Sequence, residues 1–186
     1  MTKSFILIAA LASVTGAQAP AAAGYTAAPS TRATAVVNLN GPRGGNLAPE
    51  TIRIEYGQPH LRGRKLHMPG FVPLDTVWRL GANAATELET GVDLVIGGQT
   101  VPKGKYTLFA LPAASGWKLI VNKNTGQWGT DYKPEHDLVR IDLRKRALAQ
   151  PVESFSMWLI PTQGTASGEL RFAWGDAELS TTWAAK

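Results

Sequence analysis

The sequence predicts an all-β protein, an antiparallel β-sandwich or partly open barrel of about nine short strands with one or two short helical turns. Three observations predict it. Apolar and polar residues alternate at period two in segment after segment. Gly, Pro, Asn and Asp punctuate these segments at short intervals. No segment shows the apolar stripe of an amphipathic helix.

The elements follow in chain order. Residues 1–19, "MTKSFILIAALASVTGAQA", place one cation, Lys3, before an apolar run from Phe5 to Val14 and end on Ala17-Gln18-Ala19. That is the pattern of a secretory signal peptide cleaved after Ala19. The run is about ten residues, half of the roughly 20 that span a bilayer, so an anchoring helix is disfavoured. Residues 20–31 are rich in Ala and Pro, carry no charge before Arg32, and read as a flexible lead-in to one β domain over residues 32–186.

Within that domain "TAVVNLN" (34–40) opens the strands, and "TIRIEYG" (51–57) sets Ile52, Ile54 and Tyr56 against Arg53 and Glu55. "VDLVIGG" (92–98) alternates and stops at a glycine pair. "KYTLFALP" (105–112) is apolar on nearly both faces, which places it centrally. "GWKLIVNK" (116–123), "DLVRIDLRK" (137–145), "ESFSMWLIP" (153–161), "ELRFAWG" (169–175) and "AELSTTW" (177–183) complete the set. Helical turns are expected near Leu74 to Arg79 and near Pro134 to Asp137. Residues 57–91 and 122–136 read as long connections, and loops of that length are often functional.

Composition narrows the function classes. There is no cysteine, so disulfides, thiol chemistry and a lipid-anchoring cysteine are excluded. Loss of Lys3 with the leader leaves 18 cations against 14 acids. The cations form no dense basic face with interleaved aromatics, and export also argues against a nucleic-acid partner. No later apolar run approaches membrane-spanning length, so the mature chain is expected to be soluble in the periplasm or the medium.

Seven segments occur in an order that marks a family: "RGRKL", "VWRLGANAAT", "VPKGKYTLFALP", "WKLIVNK", "QWGTDY", "HDLVRIDL" and "LRFAWGDAELS". Over about residues 30–183 the chain resembles an exported bacterial family catalogued as domain of unknown function 2911. The most specific parts are Gly63-Arg64, the Trp78-Arg79-x-Gly81-Ala82-Asn83-x-x-Thr86 element and Trp128-Gly129. The resemblance implies a mostly β exported domain and implies no activity. Many relatives carry an acid after the asparagine of this element. Here the position is Ala84, which weakens any scheme with a general base there.

Six residues are candidates for ligand contact: Arg64, Trp78, Arg79, Asn83, Trp128 and Tyr132. An arginine fork grips a carboxylate or phosphate through two hydrogen bonds, and an asparagine amide both donates and accepts. A loop tryptophan can stack on a sugar or a peptide aromatic, with Tyr132 a weaker candidate of the same kind. The architectural alternative has Arg79 stacked on an aromatic and bonded to loop carbonyls, Asn83 bonded to its own backbone, and the tryptophans plugging the end of the sandwich. The other tryptophans, Trp117, Trp158, Trp174 and Trp183, sit in or beside strands, where burial explains them.

Metal and catalytic chemistry find less support. His60 and His67 stand seven residues apart on a loop, and with His136 they show no metal-ligand spacing. No G-x-S-x-G elbow exists. Glu87, Glu89 and Asp93 would supply paired carboxylates to a glycoside hydrolase, but their face reads as solvated. No cofactor is called for. The leading expectation is a binding module for a small polar ligand, a glycan or an envelope protein. The alternatives are a structural envelope protein in which the Trp78–Asn83 element only locks the fold, and a hydrolase of an envelope polymer.

Overall fold

A computed structural model describes residues 24–41, 45–67 and 71–186. The expected leader and the first residues of the lead-in lie outside the described residues. The strands are β1 (Thr31–Leu39), β2 (Glu50–Gln58), β3 (Thr86–Thr90), β4 (Leu94–Ile96), β5 (Gln99–Val101), β6 (Gly104–Ala113), β7 (Gly116–Asn122), β8 (Asp137–Pro161) and β9 (Ser167–Ala185). They form one antiparallel nine-stranded sheet in the order β1-β2-β3-β6-β7-β8-β9-β4-β5. The sheet does not close into a barrel, and the helical content of the described residues is a single 3-10 turn at Pro134–His136. The fold class matches the expectation.

The nine strands are a different nine from those expected. "DLVRIDLRK" and "ESFSMWLIP" belong to one 25-residue strand, β8, and "ELRFAWG" and "AELSTTW" to one 19-residue strand, β9. Register shifts between Ala147, Val152 and Ser156 carry β8 across the gap between its two segments. In exchange, β3 lies inside the expected 57–91 connection, and β5 is a three-residue addition. Residues 74–76 form a turn and a bend and Trp78 a β-bridge to Ala110, so no helix forms over 74–79.

The sheet curls so that its two halves face each other. Ile52, Ile54, Leu88, Leu108 and Leu119 from β2, β3, β6 and β7 meet Leu94, Ile96, Leu159, Leu170 and Trp183 from β4, β8 and β9 around one interior space. The strong twist of long strands makes this geometry natural, and the buried face follows the period-two pattern. Trp158 is the exception among the strand tryptophans: it sits on the outer face of β8, 41% exposed, so burial does not explain it.

Candidate functional site

The element Trp78–Asn83 is built from unusual backbone. Trp78 exchanges two backbone hydrogen bonds with Ala110 of β6, at 2.7 and 2.8 Å. Its indole is buried, stacked on Trp174 at 5.5 Å and 16°, with Phe155 at 5.2 Å and Trp117 at 6.4 Å edge-on. Leu80 follows at φ 47 and is fully buried. A left-handed leucine costs on the order of 1–3 kcal/mol, and such strain persists only where packing over-determines it. The packing here includes Thr86, whose hydroxyl donates to the Leu80 carbonyl at 2.7 Å. It also includes β2, on which the loop lies backbone to backbone. A Cβ added to Gly57 would stand 1.9 Å from the Ala82 carbonyl oxygen.

The second loop, around Trp128, zips onto the first. Ala84 and Trp128 form a bridge, and the Gly129 amide donates to the Asn83 carbonyl at 3.1 Å. Asn83 has φ 62, a conformation asparagine tolerates better than most residues. Its side chain is exposed and holds no hydrogen bond among the described residues, so the expected bond to its own backbone is absent. Gly129 is required for contact: a Cβ there would lie 2.7 Å from Arg79 Cδ and 3.2 Å from Arg79 Cβ. The arginine stem therefore runs flat against the Gly129 backbone.

Between these loops lies a cavity of about 220 Å³, lined by Phe71, Pro73, Val77, Trp78, Arg79, Phe109, Gly129, Thr130 and Tyr132. Arg79 is partly buried, and its guanidinium has no hydrogen bond or ion pair among the described residues. Among the described arginines it stands alone in this. Arg32, Arg53, Arg62, Arg64, Arg140, Arg144, Arg146 and Arg171 each donate to a carboxylate, a hydroxyl or a carbonyl. The architectural alternative, in which Arg79 bonds loop carbonyls, finds no such bond among the described residues. Its stem is packed on Gly129, and it lines the cavity with no protein partner for its charge among the described residues.

Tyr132 presents its ring and not its hydroxyl. The phenol donates to Asp137 Oδ2 at 2.7 Å and accepts from Arg140 Nη2 at 2.9 Å. Asp137 also takes Asn122 Nδ2 and Arg140 Nε, both at 2.9 Å. Burial, reinforced by the hydrogen bond to the Asp137 carboxylate, pushes the Tyr132 phenol up to about 12. The ring meets Phe109 edge-on at 4.8 Å.

Of the six candidates, Trp78, Arg79 and Tyr132 share the cavity. Arg64 does not line it. Its Nε and Nη2 donate to the Leu61 and His60 carbonyls, both at 2.9 Å, and its guanidinium covers Phe71 at 4.0 Å. It lines a separate open cleft with His67, Glu153 and Asp176 and touches the cavity only through Phe71. Trp128 is 52% exposed and lies outside the wall. Sequence reasoning missed Phe71, Phe109 and Thr130. The apolar character of both faces of "KYTLFALP" was the signal for Phe109, because the second face is covered by the Tyr132 loop rather than by another sheet.

The carboxylates named for a hydrolase are engaged elsewhere. Glu87 accepts from the Gly126 amide at 3.2 Å, Glu89 pairs with Lys105 at 3.2 Å, and Asp93 accepts from the Lys103 amide at 2.8 Å. His60 Nδ1 lies 2.7 Å from Ser154 Oγ, but the two are partners in a β-bridge and line neither cavity above. No group of three His, Cys, Asp or Glu residues suited to a metal occurs among the described residues, and no helix there is long and apolar enough to cross a membrane.

A family model described as "Protein of unknown function (DUF2911)" matches residues 44–182. No curated protein and no solved structure matches the chain significantly. The matched span contains both interlocked loops and every residue of the cavity wall, and the chain belongs to this family, DUF2911, a family of unknown function.

Proposed function

We propose that this is an exported binding protein whose cavity holds a small ligand through an anionic group on Arg79. The observation that carries the reading is the isolation of Arg79: every other described arginine has a protein partner, and this one is held in place by its stem with its donors unused. An arginine fork with free donors beside apolar walls suits a carboxylate or phosphate. The lock and the binding site divide the same element between them. Trp78, Leu80 and Ala82 hold the loop, and Arg79 reads the ligand.

Export rests on the leader pattern of residues 1–19. N-terminal sequencing of the secreted protein should begin at Pro20; retention of Met1 in that fraction would refute cleavage. The binding reading is tested by thermal shift of residues 20–186 against acetate, phosphate, benzoate and neutral sugars, with Arg79→Met beside the wild type. A ligand at about 100 times its Kd adds about 2.7 kcal/mol, or roughly 5–10 °C for a domain of this size. Shifts by anions that disappear in a folded Arg79→Met variant support the reading. Equal shifts in both proteins, or none, refute it.

A further inference from the structure

The composition of the cavity narrows the ligand. Among the described residues Arg79 is the one charged side chain on its wall, and none of those lining it is an acid. The neighbouring Asp137 and Arg140 neutralise each other across the Tyr132 hydroxyl. That hydroxyl already donates to Asp137 and accepts from Arg140, which leaves Thr130 as the remaining hydroxyl-bearing side chain on the described wall. One fork-shaped cation with two parallel donors matches one carboxylate.

The rest of the wall is flat and apolar. Phe71 and Tyr132 contribute partly exposed rings, the buried Trp78 and Phe109 back them, and Pro73 and Val77 fill between them. Rings favour rings in offset or edge contacts, as they do within this cluster, where Phe109 meets Tyr132 edge-on at 4.8 Å. A sugar would find few hydrogen-bond partners for its hydroxyls on such a wall. Volume sets the size. An apolar cavity of about 150 Å³ holds one benzene, so the 220 Å³ here holds one ring together with its carboxylate.

We propose that the cavity selects a monocarboxylate borne on a single flat ring, a small aromatic acid. This deepens the anion-binding reading of the same site and rests on it. The test is calorimetric titration of residues 20–186 with four probes. Benzoate has ring and charge, benzamide has the ring without the charge, acetate has the charge without the ring, and glucose has neither. Arg79→Met keeps the stem on Gly129, and Trp128→Ala alters a residue outside the wall.

The expected result is that benzoate binds about tenfold or more tighter than either benzamide or acetate. Arg79→Met is expected to lose that preference, and Trp128→Ala to keep it. Acetate as tight as benzoate, still dependent on Arg79, would overturn the aromatic class and leave anion binding standing. Benzamide as tight as benzoate, or glucose in place of both, would overturn the carboxylate and the anion reading together. Binding of none of the four would also overturn both. Should Arg79→Met fail to fold, the comparison of the four probes on the wild type decides by itself.

Discussion

Replacing Gly57 with alanine is the sharpest perturbation of the loop that carries Arg79. Gly57 lies in β2 and is not among the residues at positive φ, so alanine meets no backbone objection there. The objection is steric. The new Cβ would stand 1.9 Å from the Ala82 oxygen and 2.7 Å from its carbonyl carbon. Carbon–oxygen contacts settle at about 3.3–3.6 Å, so the loop must retreat by more than an ångström. It cannot do so freely. Trp78 is tied to Ala110, Asn83 to Gly129, and the Thr86 hydroxyl to Leu80, on either side of Ala82.

Overpacking costs about 1–3 kcal/mol where side chains can yield, and here both parties are backbone, which puts Gly57→Ala at the top of that range. Loss of glycine entropy in the unfolded chain returns about 0.4–1 kcal/mol, leaving a net loss of about 2 kcal/mol or more. With a urea m-value of about 2 kcal/mol/M, the midpoint should fall by about 1 M. Tryptophan fluorescence is a suitable probe because Trp78, Trp117 and Trp174 sit in one ring cluster. A midpoint within about 0.2 M of the wild type, with near-ultraviolet dichroism unchanged, would refute the claim that the loop is pressed onto β2.

The other predictions are these. Trp78→Ala should cost about 3–5 kcal/mol, as expected for a buried ring, whereas Trp128→Ala should change stability by less than about 0.5 kcal/mol; urea midpoints of the two variants check the contrast. The Glu55 carboxyl is held below the usual glutamate range first by the Arg53 hydrogen bond, against burial and with help from Arg32; Glu169 is held low by Arg171 and then Arg144. Depressed folded values mean stabilisation that is present above the ordinary value, about 4.3, and lost as pH falls through the lower folded values. Midpoints measured across acid pH should therefore fall, and fall less in Glu169→Gln. The Tyr132 phenol, pushed up to about 12, favours the folded state until pH rises from the ordinary tyrosine value of about 10 through that folded value. Ultraviolet difference titration should show this late step in the wild type and not in Tyr132→Phe.

What the sequence revealed, and what it hid, has physical reasons. β2 and the first half of β8 were legible because each buries one face, so Ile52, Ile54 and Tyr56, or Ile141 and Leu143, appear at period two. β3 was hidden because two of its three inward residues are threonines. The hydroxyls of Thr86 and Thr90 are satisfied by the Leu80 and Val92 carbonyls, so polar side chains occupy core positions. β8 and β9 were cut short because bulges and turns use the same residues. Pro151 and Gly175-Asp176 fall where the expected segments divide, yet the strands run through them with shifted register. In the site, Trp78, Arg79 and Tyr132 were legible as costly residues in connections. Phe71 and Phe109 were not, since their meeting with Tyr132 and Arg79 depends on two loops closing over β6.

The central claim is that Arg79 is held by its stem and keeps its charge for a ligand. The most direct measurement is the urea midpoint of wild type and Arg79→Met, each with and without saturating benzoate. The ligand-free proteins should agree within about 0.5 kcal/mol, with a benzoate shift in the wild type alone. A ligand-free variant destabilised by about 1–3 kcal/mol, with no benzoate shift in either protein, would make Arg79 a structural tie with no ligand to hold.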